Sequence, residues 1–140
     1  MTKKRLKNKY IRLALKQIDR AEYDPSLLHR HVAVVAKGGR ILATGRNRYK
    51  THPDSVGIGS DGEAYCRSVH AEMDAISKVS DKSKLRGATI YIARKGRNGE
   101  PGMSCPCKMC QVVIDRYGLK RAVFTTEYGT GTMDFPEESA

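Results

Sequence analysis

The sequence predicts an α/β domain with a central mixed sheet and helices packed on it. Two observations carry most of the prediction. A Val-rich stretch and an Ile-Leu stretch flank Lys37-Gly38-Gly39-Arg40 and read as a hairpin, and two further β-rich stretches, 88–93 and 121–126, are each preceded by a helical pattern. An amphipathic stretch ahead of the hairpin completes the order α-β-β-α-β-α-β, whose strand–helix–strand crossovers are right-handed. At 140 residues, the chain is read as one domain over 1–140.

The elements follow in order. From about Lys3 to Tyr23 the residues Leu6, Tyr10, Leu13 and Ile11, Leu15, Ile18 recur at three- and four-residue spacing, giving a basic amphipathic helix that Asp24-Pro25 ends. His31 to Ala36 and Ile41 to Thr44 are the hairpin strands. Residues 45–67 form a long glycine-bearing connection, of a length that is often functional. Ser68 is placed to cap a helix running to about Val79. Ala88 to Ala93 is the third strand, followed by the glycine-rich basic segment 94–104. Pro106 suits the first turn of a helix to about Tyr117, closed by Gly118. Arg121 to Thr126 is the fourth strand, and 129–140 is left as a mobile tail.

Composition narrows the function classes. Lys plus Arg number 26 against 15 Asp plus Glu, a net charge of +11, which favours an anionic partner such as a nucleotide or nucleic acid. The charge is uneven: residues 1–20 carry eight basic residues and only Asp19, and nothing after Arg121 is basic. The apolar runs fall short of the roughly 20 residues that span a bilayer, and Met1-Thr2-Lys3-Lys4-Arg5 is not followed by a signal-peptide core. No membrane partner and a cytoplasmic location are the expectations. Of the four cysteines, three fall within six residues, which points to metal binding rather than a disulfide framework.

The chemistry is concentrated in two short motifs, His70-Ala71-Glu72 and Pro106-Cys107-Lys108-Met109-Cys110, thirty-three residues apart. Together they offer an imidazole, two thiols and one spare carboxylate. Three protein ligands with an open fourth position mark a catalytic zinc site, not a closed structural one. The i, i+3 spacing of Cys107 and Cys110 puts both sulfurs on one helix face. Both motifs open predicted helices, where free N–H groups and the dipole favour thiolates. Zinc in such a site brings the pKa of its water towards about 7, and Glu72 is the proton shuttle. A four-ligand structural site completed by Cys66 or Cys105 is the competing reading, against which the poised Glu72 argues. Cys105 is otherwise read as a small packed residue, and His29 and His31 as structural or surface residues.

On these motifs the chain resembles the cytidine/deoxycytidylate deaminase superfamily over roughly residues 8–128, in the branch that carries His-Ala-Glu with Pro-Cys-x-x-Cys. The resemblance implies a three-layer α/β/α sandwich, one catalytic Zn2+, frequent homo-oligomers, and hydrolytic removal of an amino group from a ring carbon, C4 of cytosine or C6 of adenine. By it, His70, Cys107 and Cys110 become the ligands and Glu72 the proton carrier. Asn47 matches a sugar-contacting asparagine, though it also suits a turn after Gly45-Arg46. Ala71 joins the substrate-binding positions. Glu127-Tyr128 looks like the Tyr-bearing stretch near the nucleotide in deoxycytidylate deaminases, and the 45–67 segment occupies the place of their insertion. Both lean towards dCMP as substrate.

The departures are also plain. Gly45-Arg46-Asn47-Arg48 replaces the family's Gly-Tyr/Trp-Asn-Gly, and its nucleotide-regulation motif is not recognisable. A second zinc on His52, Asp54 and Cys66 is not expected. Arg94 and Arg97, together with Arg46, Arg48 and Lys50, are placed to hold one phosphate or to track a nucleic-acid backbone. A deaminase of RNA or single-stranded DNA and a non-catalytic zinc-binding nucleic-acid module therefore stay open beside the dCMP reading.

Overall fold

In the computed structural model, residues 8–20, 29–49, 68–96 and 98–136 are described. Helix α1 is Lys9–Arg20, opened by Asn8, whose Oδ1 accepts from the Tyr10 and Ile11 amides at 3.0 and 3.1 Å. Strands β1 (Arg30–Lys37) and β2 (Arg40–Arg46) form the expected hairpin. Gly38 and Gly39 both have positive φ, 58° and 76°, the tight-turn geometry that matches strand twist.

After the hairpin come β3 (Arg48–Tyr49), β4 (Ser68–Val69), α2 (Ala71–Lys78), a 3-10 turn (Lys82–Leu85), β5 (Thr89–Lys95), α3 (Lys108–Arg116), β6 (Arg121–Thr126) and β7 (Gly129–Asp134). The main sheet has the order β2-β1-β5-β6-β7. Its β5–β6 pair is parallel, joined across α3, and its other pairs are antiparallel. It is the mixed sheet expected.

Strand periodicity divides the core into two layers. Val32, Val34 and Ala93 face Ala14 and Ile18 of α1. The alternate residues Ala33, Val35, Ile90 and Ile92 face Ala71, Ala75, Ile76 and Ile114 of α2 and α3. The three-layer sandwich follows directly from this alternation. Gly45 sets the spacing of β2 against α2, since a Cβ there would lie 2.3 Å from the Ala75 amide nitrogen.

Two expectations are corrected. Ser68 does not cap α2: it pairs with Tyr49 in the short β3–β4 ribbon that brackets residues 50–67, and His70 takes the N-cap position. The segment read as the start of a tail is in part β7, paired along β6 from Arg121↔Asp134 to Thr126↔Gly129. Its pattern is inconspicuous because Gly131 must sit under Phe124, where a Cβ would come within 2.6 Å of the ring. The N-terminal helix is described as Lys9–Arg20, and residues 3–7 and 21–23 of the expected helix lie outside the described residues. Among the described residues no helix is long and apolar enough to cross a membrane.

Candidate active site

The two motif halves meet at the N-termini of α2 and α3. His70 is the residue before α2, with extended backbone at φ −72° and ψ 148°, and Cys107 holds the same position before α3. Neither side chain caps its own helix, so both are free to point outward. Cys110 lies in the first turn of α3 and is fully buried. His70 Nδ1 is 3.7 Å from Cys107 Sγ and 3.3 Å from Cys110 Sγ. The three donor atoms lie within 4.8 Å of one another.

These spacings fit zinc. Bond lengths of about 2.1 and 2.3 Å in a tetrahedron separate nitrogen and sulfur ligands by about 3.6 Å. The two Nδ1–Sγ distances bracket that value. The donor set of one imidazole and two thiols also suits zinc, with Nδ1 as the histidine ligand.

Glu72 follows His70 by two residues, in the first turn of α2. It is 6% exposed and lies on the wall of a cavity of about 250 Å³ that also contains His70, Ala71 and Cys107. Burial raises its carboxyl above the usual carboxylate range, against the opposing pull of its own backbone amide, Cys110 and His70. A carboxyl so placed can hold a proton beside the ligand trio and return it. The Cys110 thiol departs from expectation. Burial first, and then the Glu72 charge and Cys107, push it well up. A cation bound beside His70 and Cys107 would hold this sulfur as a thiolate.

The other expected site residues divide. Asn47 lines the cavity and also clamps the fold: its Oδ1 accepts from the His31 amide at 2.8 Å, and its Nδ2 donates to the His29 carbonyl at 2.9 Å. One amide hydrogen and one lone pair remain for a ligand. Arg94 lines the cavity. Arg46 and Arg48 do not line it. The Arg46 amide and the Arg48 guanidinium instead meet the buried Asp74 of α2, at 3.1 and 3.4 Å. Tyr128 stands on the β6–β7 turn, 86% exposed and outside the cavity lining. Arg97, Lys50, His52, Asp54 and Cys66 lie outside the described residues.

Sequence reasoning missed four cavity residues, His31, Met103, Ser104 and Cys105. His31, read as structural or surface, sits in the wall, where burial and then Arg94 hold its pKa down near 4. Strand alternation places it on the face of Ala33 and Val35, but only the sheet order shows that this face carries the site. Cys105, read as packed, is exposed and lines the cavity. Ser104 is buried: its hydroxyl donates to the Ile92 carbonyl at 2.8 Å and accepts from the Thr125 amide at 2.9 Å. That anchorage fixes the approach to Cys107 against β5 and β6.

A sheet with one helix on one side and two on the other, whose helix N-termini assemble a His-Cys-Cys donor set beside a buried carboxyl, defines a zinc-binding α/β class of protein. More particularly, the family profile of the cytidine and deoxycytidylate deaminase zinc-binding region matches residues 4–126, and the chain belongs to that family.

The chain is similar to the deoxycytidylate deaminase of Schizosaccharomyces pombe, with 27% identity over 106 residues, which are 68% of this chain and 30% of that protein. The match thus spans less than a third of the relative's length. Two solved structures share the fold. The dCMP deaminase of cyanophage S-TIM5, in complex with dCMP and dUMP, has a TM-score of 0.55 at 22% identity, covering 82% of this chain and 76% of its own. The cytidine deaminase of Burkholderia pseudomallei has a TM-score of 0.63 at 17% identity, covering 93% and 94%.

Proposed function

We propose that this protein is a zinc-dependent hydrolytic deaminase of a cytosine nucleotide, converting dCMP to dUMP. The observation that carries the reading is the convergence of His70 Nδ1 and the Cys107 and Cys110 sulfurs beside the buried Glu72, in a cavity open to a small ligand. When bound, zinc supplies Lewis acidity and an acidified water. His70 Nδ1 and the Cys107 and Cys110 sulfurs would hold it. Glu72 accepts a proton from the attacking water, delivers it to the ring nitrogen, and then supports departure of the amino group as ammonia while C4 becomes a carbonyl. Asn47 offers its remaining amide hydrogen and lone pair to the sugar, and the Ala71 position on the cavity wall borders the ring. Assembly into a homo-oligomer belongs to this reading, supported by the exposed Met109 and Val112 of α3.

The similarity to a deoxycytidylate deaminase at 27% identity supports the nucleotide over the nucleoside. The net charge of +11 favours a second reading, a base deaminase acting on single-stranded nucleic acid or on tRNA adenosine.

Product analysis after incubating zinc-loaded protein with dCMP, a cytosine-bearing single-stranded oligonucleotide and tRNA separates them. Conversion of dCMP alone is expected. Conversion of a polynucleotide alone installs the second reading. The Glu72→Gln variant is expected to keep its zinc and lose at least about 10²-fold in turnover. Zinc-loaded protein that converts none of these substrates would leave a binding module.

A further inference from the structure

We propose that Arg94 is the phosphate-reading residue of this site, its guanidinium at the cavity wall beside His31 taking the single phosphate of a nucleoside monophosphate. The inference rests on the deaminase reading and deepens it by naming the group of the substrate that is recognised and the residue that does so.

The position follows from the sheet. His31 of β1 and Arg94 of β5 are direct partners in the antiparallel register, so both side chains leave the same face, the one that carries α2 and α3. Both line the cavity that holds Glu72 and the zinc-binding trio. Arg94 is also fixed in place. Its Nη1 donates to the Met103 carbonyl at 3.1 Å. A Cβ on Gly102 would lie 3.3 Å from its Nε and 3.5 Å from Cζ and Nη2, so the guanidinium packs against that glycine. Preorganisation of this kind lowers the cost of holding an anion.

The charge of Arg94 is not neutralised within the fold. Four other basic side chains find carboxylates: Lys95 pairs with Asp19, Arg121 with Asp134, and Arg48 and Lys78 with Asp74. Among the described residues Arg94 pairs with no acid, and its buried Nε has no hydrogen-bond partner. Glu72 is the one carboxylate among the described cavity residues. A fixed guanidinium without a counter-ion in a catalytic cavity is a receptor for an anionic substituent of the substrate. One such group suits one phosphate. A polynucleotide track would need a row of them.

The test is calorimetric binding to zinc-loaded Glu72→Gln protein, which does not consume the ligand, with and without Arg94→Gln. The probes are dCMP, deoxycytidine and a cytosine-bearing oligonucleotide. The expected result is that dCMP binds about 10- to 100-fold more tightly than deoxycytidine, as a charge-assisted contact provides, and that this ratio falls to near one with Arg94→Gln. A ratio that survives Arg94→Gln overturns the proposal. So does an oligonucleotide that binds more tightly than dCMP with a steep salt dependence.

Inorganic phosphate provides a measurement free of any Arg94 substitution. It is expected to compete with dCMP and not with deoxycytidine, and equal competition with both, or with neither, overturns the assignment. The two readings fail separately. Glu72-intact protein that converts no cytosine substrate, with the Arg94-dependent ratio intact, removes the deaminase and keeps the phosphate site.

Discussion

Gly45→Ala is expected to disable the site without replacing any residue in it. Gly45 lies in β2, fully under α2, and the added methyl would stand 2.3 Å from Ala75 N, 2.7 Å from Ala71 O and 2.8 Å from Ala75 Cα. All three are backbone atoms of the helix that presents His70 and Glu72, so no side chain can swing aside. Ordinary contact begins at 3.4 Å, and 3.4 less 2.3 leaves about 1 Å that α2 must yield. Overpacking of this kind costs about 1–3 kcal/mol. For a chain of this size that lowers Tm by on the order of 3–10 °C. Metal sites tolerate ligand distances of only about ±0.2 Å, so a shift of α2 against α3 pulls His70 Nδ1 off the Cys107–Cys110 pair. A misplacement of about 1 Å also costs on the order of 10²-fold in rate. Calorimetric melting, zinc content and turnover are read on the same sample. A Gly45→Ala protein with parental Tm, full zinc and parental rate refutes the claim that this contact sets the height of α2.

The metal motif was legible because its meaning is local. Cys107 and Cys110 share a helix face by spacing alone, and His70-Ala71-Glu72 places an imidazole and a carboxyl at one helix start, wherever the helices pack. The hairpin was legible because paired glycines demand positive φ. What stayed hidden depended on register. His31 becomes a cavity residue only because β1 pairs with β5 so that it meets Arg94, a pairing between strands far apart in sequence. Arg46 and Arg48 read as substrate cations because they flank Asn47. In the fold, a carboxylate that looks like an ordinary helix-surface residue, Asp74, is 2% exposed and engages the amide of one and the guanidinium of the other. The strand β7 escaped notice for a packing reason, since Gly131 must leave room for the Phe124 ring and an alternating apolar pattern cannot form around it.

The remaining predictions concern the metal, the turn and the brace behind the catalytic helix. Zinc uptake is expected to release protons and to weaken as pH falls from about 8 to about 6, because burial and the Glu72 charge keep the Cys110 thiol protonated until the cation displaces its proton. Chelator competition across that range checks it, and a pH-independent affinity refutes it. Tyr128→Ala is expected to leave stability within about 0.5 kcal/mol and the KM for dCMP within severalfold, since the ring is 86% exposed outside the cavity. A rise in KM of tenfold or more would return Tyr128 to the site.

Asp74→Asn tests the brace. The carboxylate accepts from the Arg46 amide at 3.1 Å, Lys78 Nζ at 2.9 Å and Arg48 Nη2 at 3.4 Å, joining the β2–β3 corner to α2. An amide sets an NH2 group against at least one of these donors, so the variant is expected to lose about 1–3 kcal/mol in urea unfolding near neutral pH. Burial alone would raise the Asp74 pKa, but Lys78, the Arg46 amide and Arg48 together hold it below its ordinary value of 3.8. A carboxyl depressed on folding contributes stability above its unfolded pKa and loses it as pH falls through the folded one. The gap between parent and variant should therefore be constant from neutral pH down to about 4–5 and close only below that. A gap that closes already between pH 7 and 5, or no gap at neutral pH, means that Asp74 does not brace the helix as a carboxylate.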